Sequence, residues 1–216
     1  MKPVVTVVDY GLGNLHSVIN ALVRTGAEVQ VACTGAEIDK ASRLVLPGVG
    51  AFSDGMAGLR ARGQVEPLRA YAASGRPLLG ICLGKQLLLS QSEEFGVHEG
   101  LGIIPGRVVM IPSIGVKVPF VGWGRLQPPA GRSWEGTVLQ TTSPGTWAYF
   151  VHSYHAVPEN PRDICACTGY GPHQITAAIA RGHVTGLQFH PEKSGPAGLA
   201  MLEQFIRTPY ANRDTR

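Results

Sequence analysis

Short apolar runs alternate with segments of helical spacing through the first ninety residues. Val4 to Val8 is a continuous β-branched run that stops at Asp9-Tyr10-Gly11-Leu12-Gly13-Asn14, after which Leu15, Val18, Ile19 and Leu22 recur at helical spacing up to Gly26. The pattern predicts a strand, a glycine-rich turn and a helix. Glu28 to Ala32 and Arg43 to Leu46 predict two further strands, the second closed abruptly by Pro47-Gly48-Val49-Gly50. Helical spacing returns from Gly55 to Ser74 with a break at Gly63; Pro77 to Ile81 then predicts a fourth strand, followed by helix over Lys85 to Leu89. Strands apolar on both faces and alternating with helices predict an α/β fold, a mostly parallel sheet with helices on both sides.

Beyond about Gly106 the pattern turns to short β-like runs separated by Pro and Gly: Arg107 to Ile111, Thr146 to Val151, Ile164 to Thr168, Thr176 to Ala180 and Val184 to Phe189. The Arg181-Gly182 step between the last two predicts a hairpin, so extra antiparallel strands are expected in the C-terminal half. A closing helix is predicted with Ser194 as N-cap, Leu199, Leu202 and Ile206 on one face, and Thr208-Pro209 as the stop. With no internal repeat and no linker-like stretch, residues 1–216 are expected to form one domain.

Composition narrows the classes. The chain has 216 residues, 44% of them hydrophobic and 16% charged, against a usual charged share of about 25%, so a disordered chain is excluded. Its 28 glycines follow no Gly-X-Y period, which excludes collagen. The net charge of +4 comes from scattered basic residues. Their tightest group, Arg60, Arg62, Arg69 and Arg76, lies in a helical segment without interleaved aromatics and reads as a solvated face, so no nucleic-acid partner is expected. Cys33, Cys82, Cys165 and Cys167 offer no metal-ligand spacing, and Cys165 and Cys167 read as core thiols on one strand face. No metal and no cofactor are expected. The N-terminal apolar stretch is too short for a signal segment and no apolar run approaches 18 residues, so a reduced, cytoplasmic chain without membrane contact is expected.

The chemistry concentrates in three stretches. Gly80-Ile81-Cys82-Leu83-Gly84 puts a cysteine between two glycines at a strand-to-helix junction, the layout of a nucleophile elbow, where near-absent side chains two residues away let backbone segments approach. There the helix N-terminus favours the thiolate, and the N–H of Leu83 points where an oxyanion would form. Taken alone, the motif is equally a structural cysteine beside a glycine turn. Phe189-His190-Pro191-Glu192 follows an apolar strand, and His190 and Glu192, two apart at a strand end, can emerge on the same side so that the carboxylate orients the imidazole. Cys, His and Glu would then form an acyl-transfer triad. Pro47-Gly48-Val49-Gly50 closes a neighbouring strand and can offer a second backbone N–H, although a plain β-to-α turn reads the same way.

These three stretches, the second continuing Lys85-Gln86-Leu87-Leu88 and the third Lys193-Ser194, resemble the class I (triad) glutamine amidotransferases. Asp9 to Leu15, Ala51-Phe52 to Gly55-Met56, and Tyr149-Phe150-Val151-His152-Ser153-Tyr154 resemble one branch of that superfamily, glutaminase subunits that serve a separate cyclase in histidine biosynthesis. The likeness spans essentially the whole chain and implies a flavodoxin-like sheet. It makes Cys82 the nucleophile on the side-chain amide of L-glutamine, forming a glutamyl thioester, His190 the proton shuttle and Glu192 its orienter. The oxyanion would be held by the backbone N–H of Leu83 and of Val49, the latter after the Gly48-Val49 peptide reorients, which glycine at 48 and 50 makes sterically cheap. Gln86, Glu94, His152, Ser153, Tyr154 and backbone at Gly50 would read the substrate's amino and carboxylate groups, Glu94 being placed by its distance from Cys82 rather than by a motif. The implied partner is a cyclase subunit of (β/α)8-barrel fold in a heterodimer, receiving the ammonia and making imidazole glycerol phosphate and aminoimidazole carboxamide ribonucleotide, with Asn14, Trp123 and Lys193 at the interface.

Two departures stand out. Phe120, Val121 and Gly124 replace the His, Met and Asn of many members, and Lys85 replaces a commoner methionine. The competing readings are a glutaminase of another ammonia-channelling synthase, which Tyr10 to Asn14 and His152-Ser153-Tyr154 oppose, and a non-catalytic binding subunit, which has no need of Cys82, His190 and Glu192 together.

Overall fold

The computed structural model describes residues 2–207. The chain runs β1 (Val4–Val8), α1 (Leu15–Arg24), β2 (Glu28–Ala32), α2 (Gly35–Lys40), β3 (Leu44–Leu46), α3 (Phe52–Ala61), α4 (Val65–Ala73), β4 (Leu78–Ile81) and α5 (Leu83–Leu87). It continues through β5 (Leu89–Ser92), β6 (His98–Glu99), β7 (Ile104–Met110), β8 (Phe120–Arg125), β9 (Trp147–His152), β10 (Tyr154–Pro158), β11 (Ile164–Tyr170), β12 (His173–Arg181), β13 (Val184–Leu187) and α6 (Gly195–Arg207).

A seven-stranded sheet in the order β11-β12-β13-β4-β3-β1-β2 carries the fold. The run from β13 to β2 is parallel throughout, and β12 and β11 extend it antiparallel beyond β13, as the hairpin at Arg181-Gly182 predicts. β3, β4 and β13 are buried at every residue, which is what a strand covered by helices on both faces requires. Alternation divides the core. Val5 and Val7 pack with Leu22 of α1 and Leu202 and Phe205 of α6, while Val8, Leu44 and Leu46 pack with Leu59, Leu68 and Tyr71 on the other side.

The predicted elements differ from the structure in instructive ways. Helix α5 stops at Leu87 rather than Leu89, because Leu89 already pairs with Ile104 in a second sheet ordered β10-β7-β5-β6. The polar segment after Cys33 forms α2, started by a capping box in which Thr34 and Glu37 satisfy each other's backbone N–H groups. Ser194 does not cap α6 through its hydroxyl: that oxygen accepts from Tyr149 N–H at 3.0 Å and donates to the His190 carbonyl at 2.7 Å. The predicted stop at Thr208-Pro209 lies outside the described residues.

Candidate active site

β4 hands over to α5 at Cys82, whose φ of 53° and ψ of −109° lie where non-glycine residues are rare and strained. Its N–H donates to the Leu187 carbonyl of β13 at 2.7 Å and its carbonyl accepts from Gln86 N–H at 3.2 Å, which holds the bend. The flanking glycines have a measurable reason. A Cβ on Gly80 would lie 2.8 Å from the backbone nitrogen of Lys85, and one on Gly84 would overlap the Leu46 carbonyl. The elbow therefore folds back on both β3 and itself.

His190 and Glu192 meet in a 3-10 turn, Pro191–Lys193, rather than at the strand end expected from their spacing; β13 has ended at Leu187. The His190 carbonyl is held by the Ser194 hydroxyl and its N–H donates to the Tyr149 carbonyl at 2.9 Å. His190 Nδ1 stands 2.7 Å from Glu192 Oε1, with the two side chains 3% and 2% exposed. Nδ1 thus carries the proton toward the carboxylate, leaving Nε2, buried and without a hydrogen-bond partner of its own, on the side of Cys82. Burial pulls the His190 pKa down, but Cys82 and then Glu192 outweigh it and push the value up to about 9. A proton held on the imidazole side of a cysteine–histidine pair, with the sulfur as thiolate, is the arrangement of a base-activated cysteine nucleophile.

The Pro47-Gly48-Val49-Gly50 loop lies against the elbow because β3 and β4 are parallel neighbours. Here the Gly48 carbonyl accepts from Leu83 N–H at 3.3 Å. Since a trans peptide points its C=O and N–H in opposite directions, the Val49 N–H faces away from Cys82. Tyr10 pins the preceding peptide, its buried hydroxyl donating to the Pro47 carbonyl at 2.8 Å. The Tyr10 pKa is raised by burial and by Cys82. In the sequence Tyr10 stands only within the Asp9 to Leu15 stretch that carries the resemblance, with no role of its own, since it lies two residues beyond β1 and meets the loop only in the folded chain.

The candidate substrate residues cluster around the elbow, with one qualification each. Gln86 Nε2 donates to the Tyr154 carbonyl at 3.0 Å. Glu94 Oε2 accepts from Phe52 N–H at 2.6 Å, which brings it beside Gly50 and Ala51, and burial followed by Glu94 raises the Tyr154 pKa. Ser153 lies between β9 and β10, where its carbonyl accepts from Ile111 N–H. The His152 ring is packed among Phe120 and Phe150, with Nδ1 2.8 Å from the Tyr154 carbonyl, and burial lowers its pKa to about 3, so it is neutral. Of the interface candidates, Trp123 is 52% exposed, Lys193 is exposed, and Asn14 is exposed and caps α1 through Oδ1. Gln188, missed in the sequence, directly precedes Phe189-His190 and places Nε2 3.9 Å from Cys82 Sγ. A glutamine inside the largely apolar run Val184 to Phe189, directly before Phe189-His190, is the signal that could have found it, since a polar side chain there must be buried and paired.

A cavity of about 730 Å³ lined by Arg69, Leu101, Arg181 and His183 sits at the amino ends of β4 and β13, the opposite edge of the sheet, and touches none of these residues. Among the described residues no group of His, Cys, Asp or Glu side chains could hold a metal ion, and no helix is long and apolar enough to cross a membrane. What the elbow, the buried His-Glu pair and the adjacent backbone N–H groups can do together is acyl transfer through a thioester.

Comparison with known proteins agrees. The family profile "Glutamine amidotransferase class-I" matches residues 6–208. Imidazole glycerol phosphate synthase subunit HisH 1 of Legionella pneumophila (strain Lens) is 48% identical over 209 residues, covering 94% of this chain and 98% of that protein. The HisH subunit of Synechococcus sp. (strain JA-3-3Ab) is 47% identical over 210 residues, covering 95% and 94%. Among solved structures, one described as PurLQS from Thermotoga maritima superposes with a TM-score of 0.71 at 20% identity, covering 95% of this chain and 98% of that one, which speaks for the fold.

Proposed function

This chain belongs to the class I glutamine amidotransferases, and from that premise we propose that it works as one domain, residues 1–216, in which Cys82, His190 and Glu192 hydrolyse glutamine. It is the glutaminase subunit of imidazole glycerol phosphate synthase, as near-full-length identity of 46% to 48% to such subunits supports. The observation that carries the residue assignment is the strained elbow at Cys82 lying beside a buried imidazole whose other nitrogen is 2.7 Å from a carboxylate.

The Cys82 thiolate attacks the amide carbon of glutamine, and the electron pair of the C=O bond moves onto oxygen. That oxyanion takes the Leu83 N–H, and the Val49 N–H once the Gly48-Val49 peptide has turned over. His190 gives its Nε2 proton to the departing nitrogen, the C–N bond breaks and ammonia leaves a glutamyl thioester on Sγ. Water then loses a proton to Nε2 as it attacks the thioester, and collapse frees glutamate and the thiolate beside the imidazolium. Glu192 keeps the ring in the tautomer both steps need. Gln86, Glu94, His152, Ser153, Tyr154 and backbone at Gly50 hold the substrate's polar groups. No cofactor enters these steps.

The ammonia passes to a cyclase subunit of (β/α)8-barrel fold. Supporting a heterodimer, Val121, Trp123, Trp147 and Val151 lie exposed on one face of the β8–β9 ribbon, whose Tyr149 holds His190. Lys193 and Asn14 flank the same carboxyl edge of the sheet and complete the proposed interface. Free thiols at all four cysteines suit a reducing cytoplasm.

The test is glutamine-dependent and ammonia-dependent synthesis by the complex. Cys82→Ala is expected to abolish the first and spare the second; retained glutamine-dependent synthesis would overturn the assignment.

A further inference from the structure

Lys85 is fully buried at the middle of the five-residue helix α5. A buried ammonium is costly unless something compensates it, yet among the described residues Lys85 has no carboxylate within ion-pair distance. Its Nζ instead donates to the Thr176 carbonyl at 3.1 Å and to Gln188 Oε1 at 3.0 Å. Room for its stem is provided by Gly186, where a Cβ would come within 2.5 Å of Lys85 Cγ. Burial lowers the Lys85 pKa to about 7, and Cys82 and Cys167 act against that fall. The other titratable groups around it, His152 and His155, have pKa values lowered by burial to about 3 and about 4, so both are neutral.

Gln188 is equally buried, and its amide can be turned either way unless its oxygen is claimed. Here the oxygen is claimed twice, by Lys85 Nζ and by Gln86 Nε2 at 3.4 Å. The NH2 group is thereby left facing Cys82 Sγ at 3.9 Å. Turned the other way, the amide would present an oxygen lone pair to the sulfur and oppose its negative charge.

We propose that Lys85 is a positioning residue for the Cys82 nucleophile: it clamps the Gln188 carboxamide so that the amide N–H groups point at Sγ and favour the thiolate. The proposal rests on Cys82 being the nucleophile. It reaches beyond that assignment because the Lys85–Gln188–Cys82 relay uses neither His190 nor Glu192 and acts whether or not substrate is present. A hydrogen bond to a charged group is of the strength that moves such an equilibrium about tenfold.

The experiment follows iodoacetamide alkylation of Cys82 against pH in the full chain, located by peptide mass spectrometry because Cys33 is exposed, together with glutaminase kinetics of the complex. Lys85→Met keeps the stem and removes the amine. It is expected to raise the alkylation midpoint by about one pH unit and to lower kcat about tenfold, with KM for glutamine unchanged. Gln188→Met should do the same with Lys85 in place, and the double variant should be no worse than Gln188→Met alone. An unmoved midpoint in Lys85→Met and Gln188→Met, or losses that multiply in the double variant, would overturn the relay. Cys82→Ala, run alongside, separates the two readings: if it retains glutaminase activity the nucleophile assignment fails, whereas an inactive Cys82→Ala with a wild-type Lys85→Met profile sinks the relay alone.

Discussion

The carbonyl oxygen of Gly48 accepts the backbone N–H of Leu83 at 3.3 Å, so one proposed oxyanion donor is spent on the protein's own backbone and the other, at Val49, faces away. Glutamine bound beside Cys82 in this conformation would develop its negative charge with neither donor available. Loss of a single oxyanion donor costs roughly 10²- to 10³-fold in rate. The isolated chain is therefore expected to hydrolyse glutamine at least about 10²-fold more slowly than the complex carrying the cyclase and its ribonucleotide, with kcat rather than KM taking the change. Comparing glutaminase kcat with and without the partner checks this; equal rates would mean that the Gly48-Val49 peptide does not limit catalysis.

Protonation of His190 links the site to stability. Its pKa is raised from the ordinary 6.5 to about 9, so the folded state holds a proton that the unfolded chain has released across that interval. The resulting stabilisation is full below about pH 6.5 and is lost as pH rises through 9. At most it amounts to about 3 kcal/mol. Glu192→Gln removes one of the two groups that raise the value, so the fall in denaturation midpoint between pH 6 and pH 9.5 should shrink. Its kcat should drop on the order of 10⁴-fold, as in triads that lose the orienting carboxylate. Urea unfolding at the two pH values, with kinetics on the same preparation, reads both effects; an undiminished pH dependence would detach Glu192 from the His190 proton.

The parallel half of the fold and the placing of Cys82, His190 and Glu192 near one another were legible for the same physical reason. Fully buried strands leave long apolar runs, and β4 and the residues up to Phe189 end in motifs whose glycine, cysteine and histidine spacing follows from backbone approach at the elbow. What stayed hidden depends on contacts distant in sequence. β5 begins two residues after α5 only because Leu89 finds Ile104, and no local pattern in Leu87 to Gln91 announces that pairing. His190 and Glu192 meet through a 3-10 turn that Pro191 initiates, not through the strand alternation that suggested they would. Tyr10 and Gln188 reach the site across the sheet, from 37 residues before Pro47 in one case and 106 residues from Cys82 in the other. Ser194 shows the converse: a residue well suited to capping is used to hold His190 and Tyr149 instead.

Glu94 is the residue whose sequence placement was weakest and whose structural role is the most specific. Helix α3 starts at Phe52 behind Ala51, a residue with no side chain able to cap it, and Glu94 Oε2 supplies the missing acceptor for the Phe52 N–H at 2.6 Å from 42 residues away. That bond anchors the carboxylate beside the Gly50 loop, where it can also receive the ammonium group of glutamine. The two duties separate by substitution. Glu94→Gln keeps an acceptor oxygen and loses the charge, so thermal stability should hold while KM for glutamine rises about tenfold, the scale of a lost charge-assisted hydrogen bond. Glu94→Ala loses both, leaving the Phe52 N–H unpaired, and should in addition lower Tm by roughly 2–4 °C, the equivalent of about 1 kcal/mol in a chain of this size. Calorimetry and glutaminase kinetics on the two variants decide the matter: an unchanged KM in Glu94→Gln would confine Glu94 to capping α3 and remove it from the substrate site.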